Sequence, residues 1–254
     1  MNNPPATPLV TFNNLTLGYE RHPAVHHLQG DILTGDLLAI VGPNGGGKST
    51  LLKGLMQEIR PLGGEIIWPQ GQPQLAYLPQ RARLDLDFPL RVADFVSLGH
   101  WPRRGAFAAI KGPDRQAVQV ALQQVGLAGF DQRSLDSLSG GQLQRVLFAR
   151  LLLEDAPLIL LDEPFAAVDE ATTADLLALI QQWHQQGRTI IAVLHDLHQV
   201  RSHFPKCLLL ARDMLGMGAT EQVLTPENLA RARKMQVLAD PLAPVCDLDE
   251  ASES

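Results

Sequence analysis

The stretch VGPNGGGKST, Val41 to Thr50, follows a short apolar run and precedes apolar residues at helical spacing. Gly42, Gly47, Lys48 and Ser49 fit the pattern G-x-x-x-x-G-K-[ST] in the strand–loop–helix context that this pattern requires. Backbone N–H groups must approach a phosphate chain closely, and glycine permits this because it has no Cβ and adopts positive φ. The stretch therefore predicts a site for the phosphates of a nucleoside triphosphate, against the alternative of a chance glycine-rich turn.

The residue types in this loop have distinct expected roles. Lys48 is expected to reach the β- and γ-phosphates, and the Ser49 hydroxyl is expected to ligate Mg²⁺. The helix that begins near Ser49 directs the positive end of its dipole at the same anions. The predicted nucleotide-binding residues of the loop are Gly42, Pro43, Asn44, Gly45, Gly46, Gly47, Lys48, Ser49 and Thr50.

A pair of carboxylates, Asp162 and Glu163, ends the apolar run LILL. Open α/β sheets bind ligands at the carboxyl ends of their strands, so the pair is expected beside the glycine loop. Asp162 is suited to binding Mg²⁺ in the outer coordination shell of the ion. Glu163 is suited to orienting or deprotonating an attacking water. The alternative is a helix cap, because Asp-Glu-Pro is also typical of a helix start.

Apolar patterning along the chain predicts strands alternating with helices, which indicates a mostly parallel sheet. Between about Gln80 and Ser139 the pattern changes to short helical pieces, which predicts a helical insertion. Strands are predicted at 9–19, 36–41, 64–69, 73–79, 157–164, 189–196 and 207–213, and helices at 49–59, 92–99, 115–127, 140–153 and 173–187.

Composition limits the possible functions. The 254 residues suffice for one large domain with a subdomain, and the net charge of −6 argues against a broad basic face for nucleic acid. The two cysteines, Cys207 and Cys246, fit no zinc template and are expected to be reduced. No secretory signal is recognised, and the apolar runs are too short to cross a bilayer. A membrane role is therefore expected to be peripheral, through a partner.

The stretch LSGGQLQRV, Leu138 to Val146, adds a second phosphate-binding feature. Ser139 and Gly140–Gly141 open a predicted helix, whose N-terminus is suited to an anion. Together with the glycine loop and LLDEP, the stretch resembles the ATP-binding cassette family, specifically the nucleotide-binding subunit of a transporter. Taken alone, LSGGQ would indicate only an N-cap, serine before glycine.

The resemblance covers most of the chain and implies its fold and activity. The implied fold is α/β, a P-loop NTPase core with a mostly parallel sheet, an N-terminal antiparallel β part and a helical subdomain inserted at about 81–140. Residues 1–254 would form a single domain. Separately, the acidic composition of residues 240–254 predicts a tail that is disordered in part. The implied activity is hydrolysis of ATP with Mg²⁺.

The resemblance also assigns roles to residues outside the loop, in the order that the family has. Tyr19 should stack on adenine, Gln80 should sense Mg²⁺ and the water, and His195 should hydrogen-bond the γ-phosphate. Without the resemblance, these would be a strand-end tyrosine, a loop glutamine and a structural histidine. The implied catalytic residues are Glu163, His195, Gln80 and Lys48, and the implied Mg²⁺ ligands are Ser49, Gln80 and Asp162.

A second copy of the chain is the first implied partner. Two cassettes would pair head to tail, with Ser139 and Gly141 of one chain closing over the ATP held by Lys48 of the other. The implied contacts are Ser139, Gly140, Gly141, Gln142 and Asp169. The stretch FAAVD before and including Asp169 departs from the family's common SALD, which puts the detailed cross-dimer contacts at this point in question.

The other implied partners are an integral membrane permease, which the chain would bind peripherally at the cytoplasmic face of the inner or plasma membrane, and, indirectly, an extracytoplasmic solute-binding protein. Asp87-Phe88-Pro89 and the pattern at Val92–Gly99 are similar to cassettes of bacterial zinc or manganese importers. Importers of iron-siderophore or cobalamin remain the alternative. A non-transport cassette ATPase and an exporter are further alternatives, although the chain has no second glycine loop and no sustained heptads.

The histidines His22, His26 and His27 cluster in RHPAVHHL. Zinc requires three or four converging ligands at regular spacing, which this run lacks. The favoured interpretation is a solvated loop before a strand, with no metal of its own.

Overall fold

The computed structural model describes residues 7–20, 22–80, 90–104, 112–166 and 168–238. Two expectations, the DFP motif at 87–89 and the tail at 240–254, lie outside these residues. The chain divides into two compact units, one drawn from residues 1–73 and 189–254 and the other from residues 74–188. The glycine loop belongs to the first unit, and LSGGQ and LLDEP belong to the second.

The first unit contains most of the described strands. Its strands are β1 (Pro8–Tyr19), β2 (His22–Leu33), β3 (Leu37–Val41), β4 (Gly63–Ile67), β7 (Thr189–Val193), β8 (Lys206–Ala211) and β9 (Asp213–Ala219). Its helices are α1 (Lys48–Leu55), α7 (Leu197–His203), α8 (Thr220–Val223) and α9 (Pro226–Leu238).

The second unit is mainly helical. Its strands are β5 (Leu75–Leu78) and β6 (Leu158–Asp162). Its α-helices are α2 (Val92–Ser97), α3 (Trp101–Arg104), α4 (Gly112–Gln124), α5 (Gly140–Glu154) and α6 (Glu170–Gln185), with 3₁₀ turns at Leu98–His100 and Leu135–Ser137.

The sheet of the first unit combines antiparallel and parallel pairing. β1 pairs antiparallel with β2 and with β4. β3 lies between β8 and β7 and is parallel to both. All five residues of β3 are buried, as expected for a strand covered on both faces. The α/β fold with an N-terminal antiparallel part and a mostly parallel core is therefore confirmed.

In the second unit, β5 and β6 pair in parallel and α5 forms the centre of the helical packing. A Cβ on Gly99 would lie 2.5 Å from the Arg150 carbonyl oxygen of α5, so the chain approaches this helix as closely as backbone allows. Phe148 of α5 stacks on Trp183 of α6, with ring centroids 5.7 Å apart. These contacts fix the helix that begins at LSGGQ.

Several expectations about local structure are wrong. Residues 22–28, interpreted as a solvated loop that includes the three histidines, belong to strand β2. Its buried apolar residues Val25, Leu28 and Ile32 are spaced by three and four because the β1–β2 register shifts at several points, which hides the strand period. The helix predicted at 49–59 ends at Leu55, and β9, α7, α8 and α9 were not predicted.

We expect Trp183→Ala to lower the free energy of unfolding by about 3–5 kcal/mol, the cost of deleting a buried indole. Trp183 is 1% exposed, so its removal leaves a cavity against Phe148. Urea denaturation followed by circular dichroism measures the change. Gln185→Ala, at an exposed position of the same helix, is the control and should change stability by no more than about 0.5 kcal/mol. Equal effects of the two substitutions would contradict the packing.

Candidate nucleotide site

The phosphate loop, residues 42–50, depends on glycines in the left-handed region of φ. Gly42, Gly45 and Gly47 have φ of 150°, 76° and 89°. Two of them also have no room for a side chain, because a Cβ on Gly42 would lie 1.8 Å from the Leu210 carbonyl oxygen and one on Gly47 would lie 2.3 Å from that of Ala24. Both the positive φ angles and the lack of room for a Cβ therefore explain why the loop needs glycine.

Lys48 is the first residue of α1 and is 6% exposed. Its ammonium donates hydrogen bonds to the carbonyl oxygens of Gly42 (2.9 Å) and Pro43 (2.8 Å). The side chain thus folds back over the loop that precedes it. The ammonium therefore lies against the loop whose backbone is suited to binding phosphates.

The turn between β8 and β9 packs against the phosphate loop and forms a hydrogen bond with it. The Arg212 N–H donates to the Gly46 carbonyl oxygen at 3.1 Å, next to the close approach of Gly42 to Leu210. Arg212 itself has a positive φ of 65°, as expected for a tight reversal. Sequence reasoning missed this support because residues 42 and 210 are far apart in the chain.

His195 follows β7 and is exposed. It lines a cavity of about 160 Å³ together with Gly42 and Pro43 of the phosphate loop and with Leu229 and Arg233 of α9. The structure therefore brings His195 to the phosphate loop, as its expected role requires. The contribution of α9 to this cavity was not foreseen.

Tyr19 ends β1 and is 46% exposed, which is unusual for a large aromatic side chain. It pairs with His22 across the β1–β2 turn. Tyr19 belongs to the same unit as the phosphate loop.

The carboxylates Asp162 and Glu163 lie at the carboxyl end of β6 in the second unit. Asp162 is 3% exposed. Glu163 has φ of 51°, a left-handed conformation that costs energy for a residue with a side chain and that clusters at functional sites. No described helix begins at this pair, so the helix-cap alternative is wrong here. Gln80, the remaining predicted residue before the insertion, is exposed two residues after β5.

Ser139 forms a capping box at the start of α5. Its hydroxyl oxygen accepts from the Gln142 N–H at 3.3 Å, and the Gln142 side-chain oxygen accepts from the Ser139 N–H at 3.1 Å. The N-cap interpretation of LSGGQ is thus correct as far as local structure goes. The cap leaves the N-terminus of a 15-residue helix exposed at Gly140.

Asp169 is the N-cap residue of the neighbouring helix α6. Its carboxylate accepts from the Thr172 N–H and the Thr172 hydroxyl, both at 2.8 Å. These hydrogen bonds, the backbone one first, lower the pKa of Asp169 below its usual value. A Cβ on Gly141 would lie 3.2 Å from the Thr172 hydroxyl and 3.4 Å from the Asp169 carboxylate. The structure therefore brings the LSGGQ and Asp169 stretches together.

The LSGGQ helix is also tied to the turn after Glu163. The Gln144 side-chain N–H donates to the Pro164 carbonyl oxygen at 2.7 Å. A direct hydrogen bond therefore joins α5 to the turn that carries Glu163.

The three clustered histidines lie on β2. His27 Nδ1 is 2.8 Å from the side-chain oxygen of Asn14, and burial lowers the pKa of His26. Among the described residues, no group of three or more His, Cys, Asp or Glu side chains is arranged to hold a metal ion. None of the described helices has the length and apolar character needed to span a bilayer.

The fold and the glycine loop define a P-loop nucleotide-binding protein. The family model for ABC transporters matches residues 25–166, and the chain belongs to the ABC transporter family as an ATP-binding subunit with ATPase activity. The resemblance found in the sequence is thereby confirmed.

Similar proteins agree on this family. The manganese transport system ATP-binding protein MntB of Listeria innocua is 39% identical over 228 residues, covering 87% of this chain and 94% of the relative. A chain described as part of a metal-chelate type ABC transporter in an inward-facing conformation is 34% identical, with a TM-score of 0.80 and 90% of each chain covered. The ATP-binding cassette MJ0796, in a dimeric post-hydrolysis state with ADP and Pi, is 25% identical, with a TM-score of 0.72, covering 83% of this chain and 98% of that one.

We expect Ser139→Ala to lower the free energy of unfolding by about 1 kcal/mol, because it removes the N-cap hydrogen bond of α5. Ser139→Asp should keep the stability of the wild type, since aspartate is an equally good N-cap and its charge suits the helix dipole. Urea denaturation of the three proteins measures both effects. If Ser139→Asp is as unstable as Ser139→Ala, the side chain does not act as a cap.

Proposed function

We propose that this chain is the ATP-hydrolysing subunit of a bacterial metal importer, with manganese as the favoured cargo. The observation that carries the cargo is the 39% identity, over nearly the full length of both chains, to a manganese transport system ATP-binding protein. The sequence pattern predicts zinc and manganese equally, and the similarity to MntB favours manganese. The similarity of 34% to a metal-chelate type transporter keeps chelated iron or cobalamin as the second candidate.

The nucleotide in this proposal is ATP with Mg²⁺. Backbone N–H groups of the phosphate loop and the Lys48 ammonium bind the phosphates, and Tyr19 stacks on adenine. Ser49, Gln80 and Asp162 would hold Mg²⁺, since hydroxyl, amide and carboxylate oxygens are the ligands that this ion prefers. The ion would supply charge neutralisation between the phosphate oxygens.

The second copy of the chain supplies the helix N-terminus of α5 in this proposal. A capped helix start with Gly140 and Gly141 presents backbone N–H groups and positive dipole to an anion. Because α5 offers such a surface in addition to the phosphate loop, two copies related head to tail would each close the other's ATP. The dimeric cassette MJ0796 supports this arrangement.

Transport follows from differential binding. ATP stabilises the closed dimer over the open one, and hydrolysis removes that stabilisation. Closure would move the helical part of the second unit and so switch a permease in the membrane, with the cassettes bound at its cytoplasmic face. A separate extracytoplasmic solute-binding protein would deliver the cargo, which never touches this chain.

Glu163 carries the chemical step in this proposal. Its strained backbone at the end of β6 is consistent with a carboxylate held for function rather than for folding. The carboxylate would accept a proton from the attacking water, and His195, beside Gly42 and Pro43, would hold the γ-phosphate.

We expect Glu163→Gln to lower kcat for ATP at least about a hundredfold, because an amide cannot act as a general base. The variant should still bind ATP, and it should elute at the mass of two chains with Mg²⁺-ATP but of one chain without it. Steady-state ATPase assays and size-exclusion chromatography measure these outcomes. Normal turnover by Glu163→Gln would refute the general-base role.

The control for the dimer is Ser139→Asp added to Glu163→Gln. This substitution keeps the helix cap but places a negative charge where the proposal needs a phosphate. The double variant should remain one chain in the presence of ATP. A stable ATP-bound dimer of the double variant would refute the head-to-tail closure over Ser139.

The cargo is tested by deleting the coding sequence in its bacterium and measuring uptake of radioactive Mn²⁺, Zn²⁺ and a ferric chelate. We expect Mn²⁺ uptake to fall to background, because the permease cannot cycle without its ATPase. Wild-type chain should restore uptake, and Glu163→Gln should not. Loss of ferric-chelate uptake alone would favour the second candidate, and unchanged uptake of all three would refute metal import.

A further inference from the structure

We propose that Lys53 is a positioning residue for the nucleotide base and acts through Tyr19. Its ammonium lies over the Tyr19 ring, fixes the ring and polarises it for stacking on the purine of ATP. This inference rests on the proposed nucleotide site and adds a residue that lies outside the phosphate loop.

The geometry between the two side chains is that of a cation–π pair. The Lys53 ammonium nitrogen is 5.5 Å from the centroid of the Tyr19 ring, within the range of about 6 Å over which such pairs attract. The ring is nevertheless 46% exposed. One side of the phenol thus meets a cation, and enough surface remains for a flat ligand.

Close packing of α1 on β1 sets this distance. Gly54, the residue after Lys53, approaches Leu17 so closely that a Cβ would lie 2.6 Å from the Leu17 methyl carbon. Leu17 is fully buried and lies two residues before Tyr19. Glycine at position 54 therefore lets the helix approach the strand, and this approach carries the lysine to the tyrosine.

The pair is also coupled to the phosphate loop. Lys53 lies on the helix that Lys48 begins, and five helical residues span about 7.5 Å, so the backbone of Lys53 lies about that far along the helix from the phosphate loop. Gly47 packs against Ala24 of β2, the strand that forms a hairpin with the strand ending at Tyr19. A nucleotide whose phosphates occupy the loop would find the ring and the lysine held by the same helix and hairpin.

Two physical effects follow from the ammonium. It withdraws electron density from the phenol ring, which favours stacking on an electron-rich purine. It also restricts the rotamers of an otherwise exposed side chain, so less conformational freedom is lost when the base binds. Both effects act on binding of the base and neither acts on the chemistry at the γ-phosphate.

We expect Lys53→Met in the full-length chain to raise KM for ATP by about two- to fivefold, the fold-change of an exposed cation–π pair, with kcat unchanged. Lys53→Arg should restore the wild-type KM because guanidinium stacks on aromatic rings. Inhibition by inorganic tripolyphosphate, which has the phosphates but no base, should be unaffected by Lys53→Met. Arg60→Met, which removes the same charge from the exposed segment after α1, should change none of these values.

The proposal has clear contrary outcomes. An unchanged KM for Lys53→Met would overturn it, and so would an equal weakening of tripolyphosphate inhibition, which would mean that the charge acts on the phosphates directly. In a Tyr19→Leu background, Lys53→Met should have no further effect on KM, and a full additional effect would also overturn it. Urea midpoints of all variants serve as the folding control. A wild-type chain that neither binds nor hydrolyses ATP would instead overturn the proposed nucleotide site, and this inference with it.

Discussion

The structure depends on one steric constraint, the contact between the phosphate loop and the backbone of neighbouring strands. Gly42 lies against the Leu210 carbonyl oxygen and Gly47 against that of Ala24, at distances that leave no room for a Cβ. The loop can therefore wrap tightly, point its N–H groups inward and receive the Lys48 ammonium on its carbonyl oxygens. Packing of this kind makes the loop a preformed cradle rather than a flexible turn.

Particular side chains likewise determine the structure at the helix N-termini of the second unit. Ser139 and Asp169 each satisfy the first N–H groups of a helix with their own side chains. Capping fixes where each helix starts and which way its dipole points, so the local structural role and the proposed ligand role use one geometry. For Ser139, the observed cap and the proposed ligand role are therefore compatible.

Glu163, the proposed general base, has a strained backbone conformation. Strand β6 ends at Asp162, so the strand does not require the positive φ of the next residue, Glu163. Its persistence indicates that the surrounding turn, tied to α5 through Gln144 and Pro164, imposes the conformation.

The sequence by itself determined the phosphate loop, the paired carboxylates, the LSGGQ helix and the alternation of strands with helices. Each of these is a local pattern, in which residue type and spacing within about ten positions carry the physical requirement. It failed for β2, where bulges disturbed the apolar period, and for β9 and α9, whose polar or half-buried residues give little local signal.

Only the tertiary structure decided which distant residues lie together at the proposed site. The support of Gly42 by Leu210, the approach of His195 to Pro43 and the placement of Lys53 over Tyr19 join segments that are separated by many residues. Contacts of this kind arise from the register of β3 beside β8 and from the packing of Gly54 on Leu17. No pattern within a single segment encodes them, because the physical cause is the close packing of one backbone against another.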